Sequence, residues 1–294
     1  MIRPEELTAV VLNWRTPELT ERSVGALVED GVPPHRVVVV DNASGDGSAE
    51  RLARSLEGCL ILPLPENAGF ARGNNAGAAA LPGEAYLFVN SDAFVHRRGS
   101  VEALLRALDE PEVGLAVPRL LNDDGTLQPS VVPISTPLPE LVRASGLSRF
   151  APNRWQPALG THWDHGGTRS IQAAIGAVVL ARGTAWSALG GFDEQRFMYA
   201  EDLDLFRRAR RLGWTSRFVA EAEFTHLGGA SSAQRWGDPE RAERVARAEG
   251  AMVRDHLGPL RSRLTIGVMA AGVGVRAAVH RLRGNDEAAA TQRA

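Results

Sequence analysis

Short apolar runs alternate with helix-like patterns along the first third of the chain. The apolar runs are rich in Val, Leu, Ile and Phe, and their length suits buried strands better than helices. They cover residues 7–12, 36–40, 59–64 and 86–89, and the segments 17–29, 48–56 and 69–80 between them are predicted as helices. Continuous apolar strands separated by helices indicate a parallel sheet that is covered on both faces. The pattern therefore predicts an α/β fold.

A polar residue follows each of these four predicted strands. Asn13, Asp41, Asn67 and Asp92 come after the first to the fourth run in that order. Any one of them alone is better explained as a turn residue, because Asn and Asp favour turns. Parallel strands that end together bring such residues to one edge of the sheet, where open α/β sheets bind their ligands. Four polar side chains at corresponding places favour a ligand site over four independent turns.

The sequence lacks two common nucleotide-binding motifs. A dinucleotide site has G-x-G-x-x-G between the first strand and helix, and here that junction, residues 13–17, reads NWRTP. A phosphate-binding P-loop needs a Lys, and every basic residue outside the histidines is Arg. The glycines within 69–77 fit neither motif. They are predicted to allow close approach of the backbone to a ligand or to a neighbouring helix.

The second half of the chain is less regular. Residues 113–117 and 175–181 are predicted as strands, and 118–169 has no periodicity, which is typical of a disordered segment or of a long binding loop. A helix is predicted from Asp202 to Leu212, with arginines near its end and an acidic pair, Glu201 and Asp202, at its start. Favourable interaction with the helix dipole would account for an isolated acidic pair at this place.

Two helical segments are predicted near the end of the chain. Residues 239–257 form a charged helix with a modest apolar stripe, and 264–275 is a run of apolar or small residues flanked by arginines. That run is too short to span a bilayer, which takes roughly 20 residues. Two interpretations stay open: a buried helix, or peripheral contact of residues 261–283 with a membrane surface.

Composition narrows the class of protein. The chain has 294 residues, of which 44% are hydrophobic and 23% charged, and its net charge is −2. The near-neutral charge argues against a nucleic-acid partner. The only cysteine, Cys59, cannot form an internal disulfide, and the first residues lack the apolar core of a signal peptide. We therefore expect a cytoplasmic protein, which would lie at the inner face of the cell membrane if its tail binds lipid.

Several motifs, taken in their order along the chain, resemble those of the inverting family 2 glycosyltransferases of the GT-A fold, and especially of bacterial rhamnosyltransferase-like members. The resemblance extends from about residue 7 to residue 231. Its motifs are VVLNW, VVVVDNASGDGS, NAGFARGNNAG, FVNSD, the long segment from IGAVVLARG to RRLGW, and HLGGAS. It implies a mostly parallel, Rossmann-like sheet with helices on both faces and a C-terminal helical extension.

The resemblance assigns a nucleotide-binding role to residues of the first half. Asp41 corresponds to the acidic residue that contacts the base, and a carboxylate can accept the imide N–H of uracil or thymine. Asn67, Arg72 and Asn75 match a second nucleotide-contacting segment, and Asn13 lies at the end of the first strand. A pyrimidine nucleotide is therefore the expected donor carrier.

The resemblance also implies a metal site and a catalytic pair. Asp92 matches the last acidic residue of the family's D-x-D motif, which binds Mg²⁺ or Mn²⁺ through the diphosphate of the donor. The first acidic position is here Asn90, so a single carboxylate remains. His226 matches a residue that completes the metal or diphosphate site in some members. Asp202 aligns with the catalytic base, with Glu201 beside it.

The acceptor side is expected to involve Asp193 and Trp163, together with the loop around Trp155. By resemblance, residues 1–235 form the glycosyltransferase domain, with a nucleotide-binding half at 1–117 and an acceptor and catalytic half at 118–235, and 236–294 form the helical extension. The expected partners of the protein are a dTDP- or UDP-sugar and a glycan or lipid-linked saccharide acceptor in cell-envelope polysaccharide synthesis.

Several alternatives stay open at this point. The first-choice donor, dTDP-L-rhamnose, rests on the resemblance alone, and UDP-galactofuranose, UDP-GlcNAc and UDP-glucose are further candidates. A sugar-nucleotide pyrophosphorylase is disfavoured because its glycine-rich, lysine-containing signature is missing. A non-catalytic nucleotide-binding protein is disfavoured by the intact Glu201, Asp202 and Asp92.

Overall fold

A computed structural model describes residues 1–150, 152, 155, 163–195, 200–228 and 238–282, and the side chains of 238–242 and 275–282 lie outside that description. The strands are β1 (Leu7–Asn13), β2 (Val37–Asp41), β3 (Leu60–Pro63), β4 (Ala85–Asn90), β5 (Ala93–Val95), β6 (Val113–Leu121), β7 (Leu127–Gln128), β8 (Val131–Val132), β9 (Arg169–Ile171), β10 (Ala173–Ala174), β11 (Val178–Arg182) and β12 (Thr215–His226). The helices are α1 (Pro17–Glu29), α2 (Ser48–Ser55), α3 (Gly69–Ala80), α4 (Ser100–Ala107), α5 (Pro137–Ala144), α6 (Gly183–Leu189), α7 (Glu201–Arg211), α8 (Asp238–His256) and α9 (Pro259–Leu282).

The described parts of the chain form two compact units. The first unit comprises residues 1–130 and 165–231, and the second comprises 131–164 and 232–294. The first contains the large sheet with helices α1–α4, α6 and α7, and the second contains α5, α8 and α9.

One mixed sheet runs through the first unit. Its strand order is β3-β2-β1-β4-β11-β6-β12-β5, with β7 beside β6 and β9 beside β12. Strands β3, β2, β1 and β4 are mutually parallel, and β12 is parallel to β6. Strand β11 runs antiparallel between β4 and β6. The predicted α/β class, with a mostly parallel sheet surrounded by helices, is confirmed.

The core of this unit lies on the central parallel strands. Strand β2 is buried at every position and β1 at all but one, as expected for strands covered on both faces. Burying each Val or Leu side chain contributes about 1.5–3 kcal/mol to folding. Helix α3 packs so closely on these strands that a Cβ at Gly73 would lie 2.6 Å from Leu12 Cδ1. The lack of a Cβ at Gly73 therefore makes room for a side chain of the sheet. The sequence pattern predicts a ligand or a neighbouring helix at this place instead.

The segment predicted to be irregular, 118–169, has more structure than its sequence pattern indicates. Strand β6 continues to Leu121, a turn leads into β7, and the second unit begins with β8 and the short helix α5. Helix α5 begins with Pro137, which is favourable in the first turn of a helix. Its pattern is hard to recognise because its buried residue is Glu140 and its leucines are exposed.

The pairing of β5 explains how Asp92 and His226, which are far apart in the sequence, become neighbours. The chain leaves β4 at Asn90 and pairs next with β12 at the other end of the sheet, where Ala93 lies opposite His226. The main-chain N–H of Leu227 donates to the carbonyl of Asp92 (3.0 Å). This register brings Asp92, at the end of the central strands, beside the last residue of β12.

Candidate active site

The ends of β1 and β2 carry a buried hydrogen-bond network. Asn13 and Asp41 are register partners on the parallel strands, and Asn13 Nδ2 donates to Asp41 Oδ1 (2.7 Å). Ser44 donates twice to the same carboxylate, from Oγ to Oδ1 (2.6 Å) and from its main-chain N–H to Oδ2 (3.1 Å). Asp41 is 4% exposed. The network fixes the carboxylate before any ligand arrives and leaves Oδ2 able to accept a second hydrogen bond.

A second amide links β2 to the start of α3. Asn42 Oδ1 accepts the main-chain N–H of Ala68 (2.8 Å), and Asn42 Nδ2 donates to Asn67 Oδ1 (3.2 Å). Asn67 Oδ1 also accepts the N–H of Gly69 (3.1 Å). Asn67 therefore lies beside the end of β2, with its side chain held by neighbours from both segments.

Asp92 and His226 face one another at the other end of the sheet edge. Asp92 Oδ1 is 3.4 Å from His226 Nε2, and both side chains are about nine-tenths buried. His226 Nε2 makes no hydrogen bond within the described part of the chain. A carboxylate oxygen and a ring nitrogen that both carry lone pairs repel each other unless a proton or a cation lies between them.

Gln128 determines which ring nitrogen of His226 carries the proton. Gln128 Nε2 is 3.0 Å from the main-chain carbonyl of His226, which can only accept, so the amide nitrogen must lie on that side. Gln128 Oε1 then faces His226 Nδ1 at 2.8 Å and accepts its N–H. In the neutral ring this leaves the lone pair on Nε2, directed at Asp92, which is the tautomer that a metal-binding histidine needs.

The Asp92–His226 pair fits part of a divalent cation site. Carboxylate oxygen and imidazole nitrogen are both accepted by Mn²⁺, whereas Mg²⁺ prefers oxygen ligands alone. Within the described residues no cluster of three or more His, Cys, Asp or Glu side chains is placed to hold a metal. The two side chains could therefore hold a cation only if the ligand supplied further oxygen atoms.

Asp202 lies at the start of α7 and is anchored to the central strands. Its Oδ1 accepts the N–H of Leu203 (2.7 Å) and its Oδ2 accepts the N–H of Gly176 (2.8 Å). The approach is so close that a Cβ at Gly176 would lie 2.8 Å from Asp202 Cβ. The next residue, Ala177, accepts the N–H of Asn90 through its carbonyl (2.9 Å). Asp202 is thereby tied to the strand end that leads into Asp92.

The environment of Asp202 favours its neutral form more than water does. Burial raises the pKa of its carboxyl group above the ordinary range for aspartate, and the two main-chain N–H donors offset part of that rise. A carboxylate of raised pKa is a stronger base when it is ionised. Its neighbour Glu201 is 6% exposed.

Arg72 and Asn75 lie on α3, and Asn75 contacts the turn that follows α6. Asn75 Nδ2 donates to the carbonyl of Phe192 (2.9 Å) and Asn75 Oδ1 accepts the N–H of Phe192 (2.9 Å). Arg72 is half-exposed and forms loose ion pairs with Glu66 (3.6 Å) and Glu194 (3.8 Å). Both residues line a cleft of about 590 Å³ that Tyr86 and Trp186 also line. None of Asp41, Asp92, Asp202 and His226 lines that cleft.

Comparison with known proteins assigns the chain to a protein family. It matches the family described as Glycosyl transferase family 2 over residues 8–157, about half of its length. The chain belongs to glycosyl transferase family 2. The predicted GT-A glycosyltransferase with a rhamnosyltransferase-like sequence is thus confirmed.

One relative and two solved structures illustrate the similarity of this glycosyltransferase to known proteins. It is 29% identical over 235 residues to the N-acetylglucosaminyl-diphospho-decaprenol L-rhamnosyltransferase of Mycobacterium tuberculosis, covering 75% of each chain. Its fold resembles that of the mannosyltransferase PcManGT from Pyrobaculum calidifontis, solved with GDP-Man and Mn²⁺ (TM-score 0.59, 18% identity, covering 95% of this chain and 77% of that one). It also resembles S. aureus TarS 1-349, solved with UDP-GlcNAc (TM-score 0.56, 16% identity, 90% and 71%).

The structure brings some of the predicted site residues of the glycosyltransferase together and engages others elsewhere. The structure brings Asn13 beside Asp41, and Asp92 beside His226. Asn75 is engaged with the backbone of residue 192, which suits a residue that positions a loop. The assignment of all these residues to nucleotide, metal or catalysis stays a prediction.

The two predicted acceptor residues lie in different units. Asp193 is half-buried and its Oδ1 accepts the N–H of Gln195 (3.1 Å). Trp163 belongs to the second unit and is 3% exposed. Their role in acceptor binding stays a prediction.

Sequence reasoning missed three residues that support the site. Ser44 follows Asp41 by three residues, a spacing at which Asp side chains commonly accept local hydrogen bonds, so this signal was available. Gln128 and Gly176 act on partners 98 and 26 residues away, and nothing in their local sequence indicates those contacts.

Proposed function

We propose that this protein is an inverting glycosyltransferase that transfers L-rhamnose from dTDP-L-rhamnose to a hydroxyl group of a glycan or lipid-linked saccharide in cell-envelope polysaccharide synthesis. One observation carries the proposal: the carboxylate of Asp202 is anchored through Gly176 to the strand pair whose end leads into Asp92. A base and a diphosphate-binding carboxylate are thereby attached to the same edge of one sheet.

The donor's base is proposed to bind at Asp41. Among the described residues its carboxylate oxygen Oδ2 accepts a single hydrogen bond, from the main chain of Ser44, and it can accept the imide N–H of thymine or uracil as well. Adenine has no ring imide N–H at that place. The nucleotide is proposed to lie on residues 1–117, with Asn13 and Asn67 beside Asp41 and with Arg72 and Asn75 on the neighbouring helix α3.

The diphosphate is proposed to lie at Asp92 and His226, which would hold a divalent metal, Mn²⁺ or Mg²⁺, together with oxygen atoms of the donor. When bound, such a cation neutralises charge on the departing diphosphate. Gln128 keeps the lone pair of His226 on Nε2, and Asp92 supplies the one carboxylate. The presence of Mn²⁺ in the complex of PcManGT supports this part of the proposal.

Asp202 is proposed as the general base. It removes the proton of the acceptor hydroxyl while that oxygen attacks the anomeric carbon, and the bond from this carbon to the diphosphate oxygen breaks on the opposite side, which inverts the configuration. Glu201, buried beside it, is proposed to support the start of α7. The similarity to a mycobacterial rhamnosyltransferase supports the choice of sugar and of a lipid-linked acceptor.

The test is a donor screen at neutral pH with Mn²⁺, with Mg²⁺ and with EDTA. We expect release of dTDP from dTDP-L-rhamnose to exceed release of nucleotide from UDP-galactofuranose, UDP-GlcNAc and UDP-glucose, and to stop in EDTA. NMR of the product should show the inverted anomeric configuration. Retention would contradict the mechanism, and turnover of another donor alone would change the sugar but keep the mechanism. Binding of all donors without turnover, whatever the acceptor, would indicate a non-catalytic protein.

A further inference from the structure

The second unit has an inverted burial pattern in α5, in the 3-10 turn Leu147–Phe150 and in α9. Polar side chains are buried there: Glu140, Ser148, Ser262 and Thr265 are each at most 5% exposed. Large apolar side chains are on the outside, between 51% and 72% exposed: Leu138, Leu141, Leu147, Phe150, Leu260 and Leu264. In a water-soluble helix the two sets would be exchanged.

Four of the six exposed apolar residues lie on two helices that pack together, and the other two, Leu147 and Phe150, lie on the 3-10 turn after α5. Leu138 and Leu141 are three residues apart on α5, and Leu260 and Leu264 are four residues apart on α9, so each pair lies on one helix face. Helices α5 and α9 pack against each other. We take Leu138, Leu141, Leu147, Phe150, Leu260 and Leu264 together as one surface and call it the α5–α9 surface.

The buried polar groups of α9 are satisfied inside the helix itself. Thr265 Oγ1 donates to the carbonyl of Arg261 (2.8 Å) and Ser262 Oγ donates to the carbonyl of Pro259 (3.1 Å). Glu140 of α5 is paired with Arg143 in the same way. Small residues and internally satisfied hydroxyls on the packed face, with leucines outside, are the arrangement of helices whose outer faces contact lipid.

Helix α9 carries charge of one sign. Helix α9 contains Arg261, Arg263, Arg276 and Arg281 and no Asp or Glu. Arg261 and Arg263 are exposed. Arg149 is also exposed, and its guanidinium lies 4.7 Å from the ring centre of Phe150. Exposed leucines beside exposed arginines complement a layer of anionic head groups over hydrocarbon.

We propose that the α5–α9 surface docks on an anionic lipid bilayer, lying in the interface without crossing it. Among the described helices none is long and apolar enough to cross a membrane. A second copy of the chain is the weaker occupant, because a symmetric contact would place the arginines of α9 near their own equivalents with no acidic residue on α9 to receive them. Residues 264–275 are predicted from the sequence to form either a buried helix or a contact with a membrane surface. The proposal combines the two, because one face of α9 packs on α5 and the other meets lipid. Residue 283 of the predicted contact lies outside the described residues.

The test is co-sedimentation of the full chain with vesicles of phosphatidylcholine, with and without phosphatidylglycerol. We expect binding to the anionic vesicles that weakens as salt is added. The combined variant Leu138→Gln, Leu141→Gln, Leu260→Gln, Leu264→Gln should lose more than about tenfold in partitioning, because each leucine removes buried apolar area. Arg261→Gln with Arg263→Gln should lose most of the preference for anionic lipid.

Leu212→Gln is the matched control, because Leu212 is as exposed as Leu141 (55% each) but lies in the first unit. It should bind vesicles like the unaltered chain. Hydrogen exchange of the unaltered chain should show protection by vesicles in 137–150 and 259–274, which keeps the test valid if a variant misfolds. No binding to anionic vesicles would overturn the proposal. So would equal binding by the four-leucine variant, or a dimer that the same four substitutions dissociate. Because no step requires glycosyl transfer, the outcome is independent of the proposed function.

Discussion

The two ends of the candidate active site satisfy their carboxylates in different ways. At the end of β2, Asp41 accepts three hydrogen bonds from Asn13 and Ser44, so its geometry is fixed by the protein alone. At the other end, Asp92 faces the Nε2 atom of His226, which has no hydrogen bond among the described residues. A proton or a cation between these two atoms would remove the repulsion between their lone pairs. This difference agrees with the proposed roles, which are recognition of the base at the first end and binding of a cation and a diphosphate at the second.

The largest effect should come from the proposed base. Asp202→Asn should lower kcat by about 10²–10⁴-fold, the usual contribution of general-base catalysis. The affinity for dTDP should change little, since Asp202 has no part in the network around Asp41. Steady-state kinetics and nucleotide calorimetry on the variant separate the two quantities. Glu201→Gln is the matched control and should be milder; a fully active Asp202→Asn enzyme would remove Asp202 from the mechanism.

The same residue predicts a pH dependence. Burial raises the pKa of Asp202, and the base must be ionised to act, so kcat/KM should fall on the acid side with an apparent pKa above the ordinary aspartate value of about 3.9. The residual activity of Asp202→Asn should lack this acidic limb. An unchanged limb in the variant would mean that another group titrates.

Removing the single carboxylate of the second end should have the next largest effect. Asp92→Ala should lower turnover by roughly 10²–10³-fold, because stabilisation of the departing diphosphate by a metal amounts to several kcal/mol. Donor binding in Mn²⁺ should weaken too. Asp124→Ala, an exposed aspartate in the turn before β7, should leave both unchanged. Full activity of the native enzyme in EDTA would show that the diphosphate is neutralised by other groups.

Substitution of Gln128 should have a smaller effect, which depends on whether the new side chain can accept a hydrogen bond and not on its size. Gln128→Leu removes the acceptor that holds the proton on His226 Nδ1, and we expect a loss of about 10–100-fold in Mn²⁺ affinity measured with dTDP present. Gln128→Glu keeps an acceptor for the Nδ1–H but loses the donor to the His226 carbonyl, and it should retain more of the affinity than Gln128→Leu. If the two variants lose affinity equally while their melting temperatures match, Gln128 does not act through the tautomer of His226.

The smallest effect is expected at the preorganised end. Asp41→Asn should reduce the preference of the protein for dTDP and UDP over ADP by about tenfold, the equivalent of one net hydrogen bond of about 1.4 kcal/mol. Calorimetry with the three diphosphates measures it. Equal affinities of the native protein for all three would contradict the proposed contact between Asp41 and a pyrimidine.

The sequence predicts the parallel half of the sheet better than it predicts the site. Runs such as 36–40 are apolar enough to be recognised as strands without tertiary information, and the residue after each run must then lie at the carboxyl edge. The contact between Asp92 and His226 depends on β5 pairing with β12, which is set by a register 133 residues apart (Ala93 with His226). Helix α5 was missed because its leucines point outward. Local patterns do not encode long-range register or an apolar exterior.

The contrast between the two ends is tested most directly by titrating Mn²⁺ into the protein with and without dTDP. The proposed site has two protein ligands, Asp92 and His226, which would bind a cation weakly alone, and the oxygen atoms of a diphosphate should complete it. We predict weak binding of Mn²⁺ to the free protein and at least about tenfold tighter binding with dTDP present, with the reciprocal gain for dTDP in Mn²⁺. Equal Mn²⁺ affinity in both titrations would contradict the account, because the diphosphate would then contribute nothing to the cation site.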